Sequence, residues 1–306
     1  FYWAFPNLYT LRGGPARPIS GWIESLDRMR ALAAEAIVPS HTLPLRGGAV
    51  VAAALRDYRD AIQWVRDEAL RGAAAEEPLE ALAARVRLPA HLRASPYLQE
   101  RYGQVDWSVR AIYQSQVGWF DGQAERLYPL PEARAAQREI EALGGAQAVL
   151  QRAEAALAAG GDEDLRWGLH LLAKLRASAG RDNQDSALVE RERALWVAGY
   201  QRLGRAAQNS NGRAYLLSRA RELATGAAPQ ARAQPDEVLL RSLPLRIFFQ
   251  GMAPLLKPGD ASTPDEESAS FALPDEGARF TVTLRRGVAE IIEGPPLPGT
   301  PPPLVQ

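Results

Sequence analysis

The sequence predicts a mainly α protein with a smaller α+β part at its C-terminal end, and three observations carry that prediction. Over residues 48–72, Val51, Ala54, Leu55, Tyr58, Ile62, Val65 and Ala69 fall on one helical stripe. Residues 132–226 are Ala-rich and interrupted at Gly144-Gly145, Gly160-Gly161 and the Asn209 to Gly212 run. Residues 271–292 hold short β-type runs, two of them joined by Arg285-Arg286-Gly287.

Taken in order, Pro18 and Ser20 precede a stretch in which Trp22, Ile23, Leu26, Met29 and Leu32 recur at helical spacing. Ala36 to Val38 reads as a short buried strand that runs into Pro39-Ser40-His41. The carboxyl end of such a strand is where α/β folds place chemistry. Gly47-Gly48 open the 48–72 helix and Gly72 closes it. A second, short helix is expected over 77–86, stopped by Pro89. Aromatic residues crowd 90–131, with a helix at about 106–117, a turn from Gly118 to Gly122, and a loop at Pro129 and Pro131.

The Ala-rich region divides into helices at 132–142, 146–159, 163–179, 186–207 and 212–225. Asp162, Asp185 and Asn211 are their expected N-caps, because a side-chain oxygen there accepts orphan backbone N–H groups. Short connections imply stacked helical hairpins, of the kind seen in tetratricopeptide-like arrays. A polar linker at 227–235 leads to a helix at 236–256, interrupted at Pro244 and Pro254, and a loop at 257–268. Strands are expected at 271–273, 280–284 and 288–292. The tail from Gly294 to Gln306 holds six prolines and is expected to be disordered or extended.

Composition excludes several chemistries. The chain has 306 residues, 36 basic and 36 acidic, so it lacks the surplus positive charge that general phosphate-backbone binding needs. No apolar run approaches the roughly 20 residues of a membrane span, and a soluble chain is expected. With zero cysteines, disulfides, zinc–thiolate sites and thiol nucleophiles are out, while periplasm and cytosol both stay open. The aromatic start, Phe1 to Tyr9, has no basic segment or small-residue cleavage site and does not begin with Met. A processed, cut or incomplete N-terminus is therefore expected. Basic charge is nearly all Arg, which with the abundant Ala points to a GC-rich bacterial genome.

Histidine is scarce. His170 lies among apolar helix residues and reads as packing; His91 follows Pro89 in a loop and reads as structural. His41, at a strand end, is the candidate ligand, although spacing alone also allows a structural role. No HxH, HExxH, Walker, GxSxG or GxGxxG pattern occurs. Asn7, Arg12 and Arg17 share a Gly/Pro-containing loop, where Arg can present a planar fork to an oxyanion or simply face water.

Five segments in order carry a family resemblance: Asn7 to Gly13 (NLYTLRG), Pro39 to Thr42 (PSHT), Tyr58 to Gln63 (YRDAIQ), Trp107 to Tyr113 (WSVRAIY) and Gly118 to Gly122 (GWFDG). Together they resemble the alkyl sulfatases with a metallo-β-lactamase fold, and the resemblance continues through residues 236–292. It implies that residues 1–46 are the end of a metallo-β-lactamase-like αββα domain, 47–226 a helical dimerisation domain, and 227–306 a part similar to sterol carrier protein type 2. In that family two zinc ions activate a bridging water, and the ester is cleaved to an alcohol and sulfate.

By the resemblance, His41 is a zinc ligand, Asn7 and Arg12 contact the sulfate, Arg17 assists, and Arg110 and Tyr113 line the substrate entrance. The remaining ligands, including an HxHxDH motif, have no counterpart here, so the chain is expected to be the C-terminal portion of such an enzyme and inactive alone. A homodimer, an alkyl sulfate substrate as in detergent degradation, and a periplasmic or secreted location are implied, with a cytoplasmic one as the alternative. The rival readings are a non-catalytic dimerisation and lipid-binding module and an unrelated helical-repeat scaffold.

Overall fold

The structure, a computed structural model, describes residues 3–9, 11, 17–178, 186–226, 237–255 and 266–300. Arg12, the expected cap Asp185, the linker at 227–235 and positions 256–265 and 301–306 lie outside the described residues. The chain divides into two compact units, Phe1–Pro229 and Gln230–Gln306.

The first unit begins with helix α1 (Ile19–Ala31), a two-stranded antiparallel ribbon of β1 (Ala36–Ile37) and β2 (Leu45–Arg46), and the long helix α2 (Gly48–Ala74). The predicted stripe of α2 is its buried face, extended by Ala61 and Gly72. It packs against α1 and α5 (Val105–Gln116), with α3 (Leu79–Arg85) on α5 and the short α4 (Ala90–Arg93) between them in sequence. Phe5, Leu8, Ile23, Leu55, Ile62 and Val109 belong to one core. Residues 1–46 therefore share a hydrophobic interior with the helices that follow them.

Four helices build a second core: α6 (Glu132–Ala142), α7 (Ala146–Ala159), α8 (Asp162–Ser178) and α9 (Ser186–Ala206). Helix α10 (Ser210–Thr225) returns along α9. These are antiparallel hairpins, and the turn after α7 uses Gly160 at φ 84°, a left-handed position that favours glycine. Two other glycines serve packing. A Cβ on Gly168 of α8 would lie 2.9 Å from Leu157 Cγ and 3.1 Å from the Ala153 carbonyl oxygen of α7. One on Gly199 of α9 would lie 2.7 Å from Leu169 Cδ2.

In the second unit, α11 (Glu237–Ser242) and α12 (Leu245–Met252) precede an antiparallel meander, β3 (Glu266–Leu273), β4 (Ala278–Arg285) and β5 (Val288–Glu293). Arg286 and Gly287 both have positive φ, 48° and 78°, so the predicted turn is a two-residue hairpin loop whose twist matches the strands. Phe249 of α12 stacks on Phe280 of β4 with centroids 4.2 Å apart. No described helix is long and apolar enough to cross a membrane.

Several sequence expectations needed correction. Strand β1 is only partly buried: Ala36 is exposed, Ile37 is half-buried against the first core, and Val38 after it is 79% exposed. Helix α1 starts at Ile19, ahead of Ser20, and Leu32 beyond it points outward. Asp162 lies in the first turn of α8, where with Glu163 and Asp164 it complements the helix dipole. Asn209, rather than Asn211, caps α10, accepting from the backbone N–H groups of Asn211 and Gly212. Strand β3 starts at Glu266, inside the expected loop.

Helix propensity alone makes Gly168→Ala stabilising by about 1 kcal/mol. Because the added methyl meets Leu157 and a backbone carbonyl of α7, we expect net destabilisation of about 1–2 kcal/mol instead. Chemical denaturation of the variant decides between the two signs.

Candidate functional site

The segment before α1 is held by the loop at residues 99–103. Phe5 N–H donates to the Gln99 carbonyl at 2.9 Å, and Gly103 N–H donates to the Phe5 carbonyl at 3.0 Å. This approach requires glycine, since a Cβ at Gly103 would sit 2.0 Å from the Pro6 carbonyl oxygen. The neighbouring Tyr102 carbonyl accepts from Tyr9 Oη at 3.1 Å, Asn209 Nδ2 at 2.9 Å and Asn211 Nδ2 at 3.2 Å. Ser210 N–H adds a bond to the Arg101 carbonyl at 2.8 Å. Trp107 meets Tyr9 edge-on, with centroids 5.3 Å apart, and abuts Gly212. Three segments more than 90 residues apart in sequence thus converge on one backbone turn. Burial raises the Tyr9 phenol above its usual range, so it stays protonated and donating.

Beside this junction lies a cavity of about 430 Å³. Asn7, Tyr9 and Leu11 line it from the N-terminal segment, Tyr102 from the loop, and Asn211, Tyr215, Ser218, Arg219 and Glu222 from α10. Asn7 Oδ1 is buried and has no hydrogen-bond partner among the described residues. Arg219 Nη1 pairs with Glu222 Oε2 at 2.6 Å. A carboxamide opposite a guanidinium can hold a small oxyanion through N–H donors, and the tyrosines and Leu11 can take apolar substance.

The other sequence candidates lie elsewhere. Arg17 is exposed and borders a separate, largely apolar cavity of about 480 Å³ with Trp22, Leu26 and Met29. His41 is exposed just after β1, and no group of three His, Asp or Glu side chains able to hold a metal occurs among the described residues. Arg110 and Tyr113 share α5. Arg110 donates Nε and Nη2 to Glu80 at 2.9 and 2.7 Å and Nη1 to Asp106 at 3.0 Å. Its guanidinium is engaged by two carboxylates. Tyr113 is buried in the first core; burial, with the negative charge of Asp121, raises its phenol. Of the candidates among the described residues, Asn7 lines the 430 Å³ cavity.

Tyr9, Tyr215, Arg219 and Glu222 were missed by sequence reasoning. Arg219 and Glu222 have the i, i+3 spacing of any exposed helix pair, and nothing in the sequence marks them. Asn209 had a signal, since an Asn before a helix is a capping residue.

Residues 79–226, which hold most of the stacked helical hairpins of the first unit, match the family described as alkyl sulfatase dimerisation. The chain carries that domain and is homologous to the C-terminal part of the alkylsulfatases. It is 37% identical over 301 residues to a linear primary-alkylsulfatase of a Pseudomonas strain, covering 94% of this chain and 54% of the relative. An (R)-specific secondary-alkylsulfatase of Pseudomonas is 30% identical, covering 93% and 42%. The alkyl/aryl-sulfatase BDS1 of Saccharomyces cerevisiae is 27% identical, covering 94% and 43%. The solved structure of the inverting sec-alkylsulfatase Pisa1 from Pseudomonas superposes with a TM-score of 0.85 at 28% identity, over 98% of this chain and 46% of that one. The chain spans about half the length of the curated relatives it matches.

Two predictions follow from the geometry. Asn209→Ala removes a cap and the two hydrogen bonds its Nδ2 donates to the Tyr102 and Gly103 carbonyls, so we expect a loss of about 1–3 kcal/mol, read by denaturant unfolding. Arg110 holds the Glu80 carboxyl below its usual range. A depressed carboxyl contributes stability above its unfolded pKa, roughly 4.3, and loses it as pH falls through the lower folded value. Arg110→Gln should raise the Glu80 midpoint toward the ordinary glutamate range in an NMR titration. At neutral pH it should cost less than about 1 kcal/mol, because the pair is solvent-exposed.

Proposed function

We propose that this chain is the C-terminal part of a zinc-dependent alkyl sulfatase that hydrolyses alkyl sulfate esters to alcohol and inorganic sulfate. The observation that carries the reading is the cavity that Asn7 lines together with Arg219 and Glu222 of α10. There the Asn7 carboxamide and the Arg219 guanidinium supply donors for a sulfate oxygen, and Tyr215 and Leu11 border the start of an alkyl tail. Relatives named as alkylsulfatases support it along 93–94% of the chain.

When bound, a zinc pair would supply activation of water near neutral pH. The described residues do not fit that pair by themselves, because His41 has no two further ligands gathered with it. No chemical step is therefore assigned to this chain. Its part is to bind and orient substrate, with His41 as a single imidazole at the edge of a metal centre built by residues outside this chain. A homodimer through residues 79–226 belongs to the same reading, supported by the dimerisation family match. So does an exported location, periplasmic or secreted, where external alkyl sulfates are met.

A second reading is a non-catalytic dimerisation and lipid-binding module. It is favoured by α12, whose Ile247 and Phe248 are exposed, and by a cavity of about 550 Å³ lined by Arg246, Phe280 and Ile291.

Bound zinc per chain and sulfate release from dodecyl sulfate separate the two. The sulfatase reading expects a zinc pair and turnover when this chain is fused behind the N-terminal part of a relative. It also expects neither in the chain alone, and a drop in kcat/KM of roughly 10- to 100-fold for Asn7→Ala in the fusion, on the scale of a lost charge-assisted hydrogen bond. Dodecyl sulfate bound but never cleaved by the fusion would leave the module.

A further inference from the structure

We infer that Glu222 makes the cavity beside Asn7 select a singly charged sulfate ester over the doubly charged inorganic sulfate that hydrolysis releases. The inference rests on the sulfatase reading and concerns the selectivity of that same site.

Among the described residues that line the cavity, Arg219 is the one cation and Glu222 the one carboxylate. They stand three residues apart on α10, and Arg219 Nη1 pairs with Glu222 Oε2 at 2.6 Å. Glu222 is the better covered partner, its side chain 22% exposed against 41% for Arg219. The remaining lining consists of neutral amide, hydroxyl, aromatic and aliphatic side chains. Two further carboxylates, Glu100 and Asp106, lie close enough to Tyr9 to raise its phenol, and neither lines the cavity. The lining is therefore neutral, with its cation and its carboxylate side by side.

An alkyl sulfate ester carries one negative charge and inorganic sulfate carries two. Coulomb energy is proportional to the charge of the ligand. Against a neutral lining the second charge of the dianion gains no surplus attraction. Its hydration, which grows faster than in proportion to charge, has still to be given up. The ester gives up less hydration, and its tail gains contact with Tyr215 and Leu11. Without the charge of Glu222, Arg219 would attract the dianion twice as strongly as the ester. A like charge placed against the wrong ligand is a general route to selectivity. Here it keeps released sulfate from competing with the next ester.

The full chain is titrated with sodium sulfate and with hexyl sulfate below its micelle concentration, at constant ionic strength. Heteronuclear NMR follows the backbone amides of Ala214 and Ser218, which line the cavity. In the wild type we expect hexyl sulfate to bind more tightly than inorganic sulfate. Glu222→Gln keeps the size of the side chain and removes its charge. We expect it to lower Kd roughly threefold for hexyl sulfate and roughly tenfold for inorganic sulfate, the second factor being the square of the first. Arg219→Gln should weaken both anions, inorganic sulfate the more. The amide spectrum itself checks that each variant is folded. A factor for inorganic sulfate no larger than that for hexyl sulfate, with hexyl sulfate still bound, overturns the role of Glu222 and leaves the ester site standing. Amides that neither anion moves, in the wild type and in Glu222→Gln alike, overturn the site and the inference together.

Discussion

The first unit depends on a single backbone turn. Tyr102 and Gly103 offer two carbonyls and one N–H, and these meet the segment before α1, the cap of α10 and the Tyr9 phenol. Each such bond is worth only about 1 kcal/mol net. Their effect is larger because they join segments that two separate hydrophobic cores would otherwise hold independently. Gly103 is the steric condition for the arrangement, since any side chain there would strike the Pro6 carbonyl. The cavity beside Asn7 has one wall from each of the joined segments, so it exists only while the turn holds them together.

Electrostatics follows the same economy. The chain is neutral overall, and many of its arginines are spent locally. Arg85 joins Glu68 and Glu77, Arg110 joins Glu80 and Asp106, and Arg59 joins Asp27 and Asp60. These pairs stitch neighbouring helices and leave little field at a distance. Arg219 is also paired, but its partner Glu222 lines the same cavity, so an entering anion meets a cation and its counter-ion side by side.

What was legible in the sequence divides by physical cause. The α2 stripe, the five helices of 132–225 and the three C-terminal strands are periodic or punctuated by glycine, and local rules read them within a few residues. Proline marked the break between α11 and α12 for the same reason. Burial of β1 was misread because a three-residue apolar run says nothing about whether another layer covers it. The cavity was half legible. Asn7 was named from a motif, whereas Arg219 and Glu222 become neighbours of Asn7 only through the turn at Tyr102, a contact spanning about a hundred residues that no local pattern encodes. Arg110 shows the converse: a basic residue in a family-like motif, yet its donors are already occupied by Glu80 and Asp106.

The same turn ties the region matched by the dimerisation family to the cavity. Helix α10 belongs to the dimerisation region and forms one wall of the cavity, while Asn209 and Asn211 at its start anchor it to the loop that also grips the N-terminal segment. The hairpin of α9 and α10 is therefore coupled to the segment carrying Asn7 through a short, glycine-dependent contact. The packing is tight along that route: Gly204 of α9 lies against Leu217, Gly212 against Trp107, and Trp107 against Tyr9. A helix seated this way has little freedom to slide, and a domain usually described by its role in pairing chains also fixes the shape of the site.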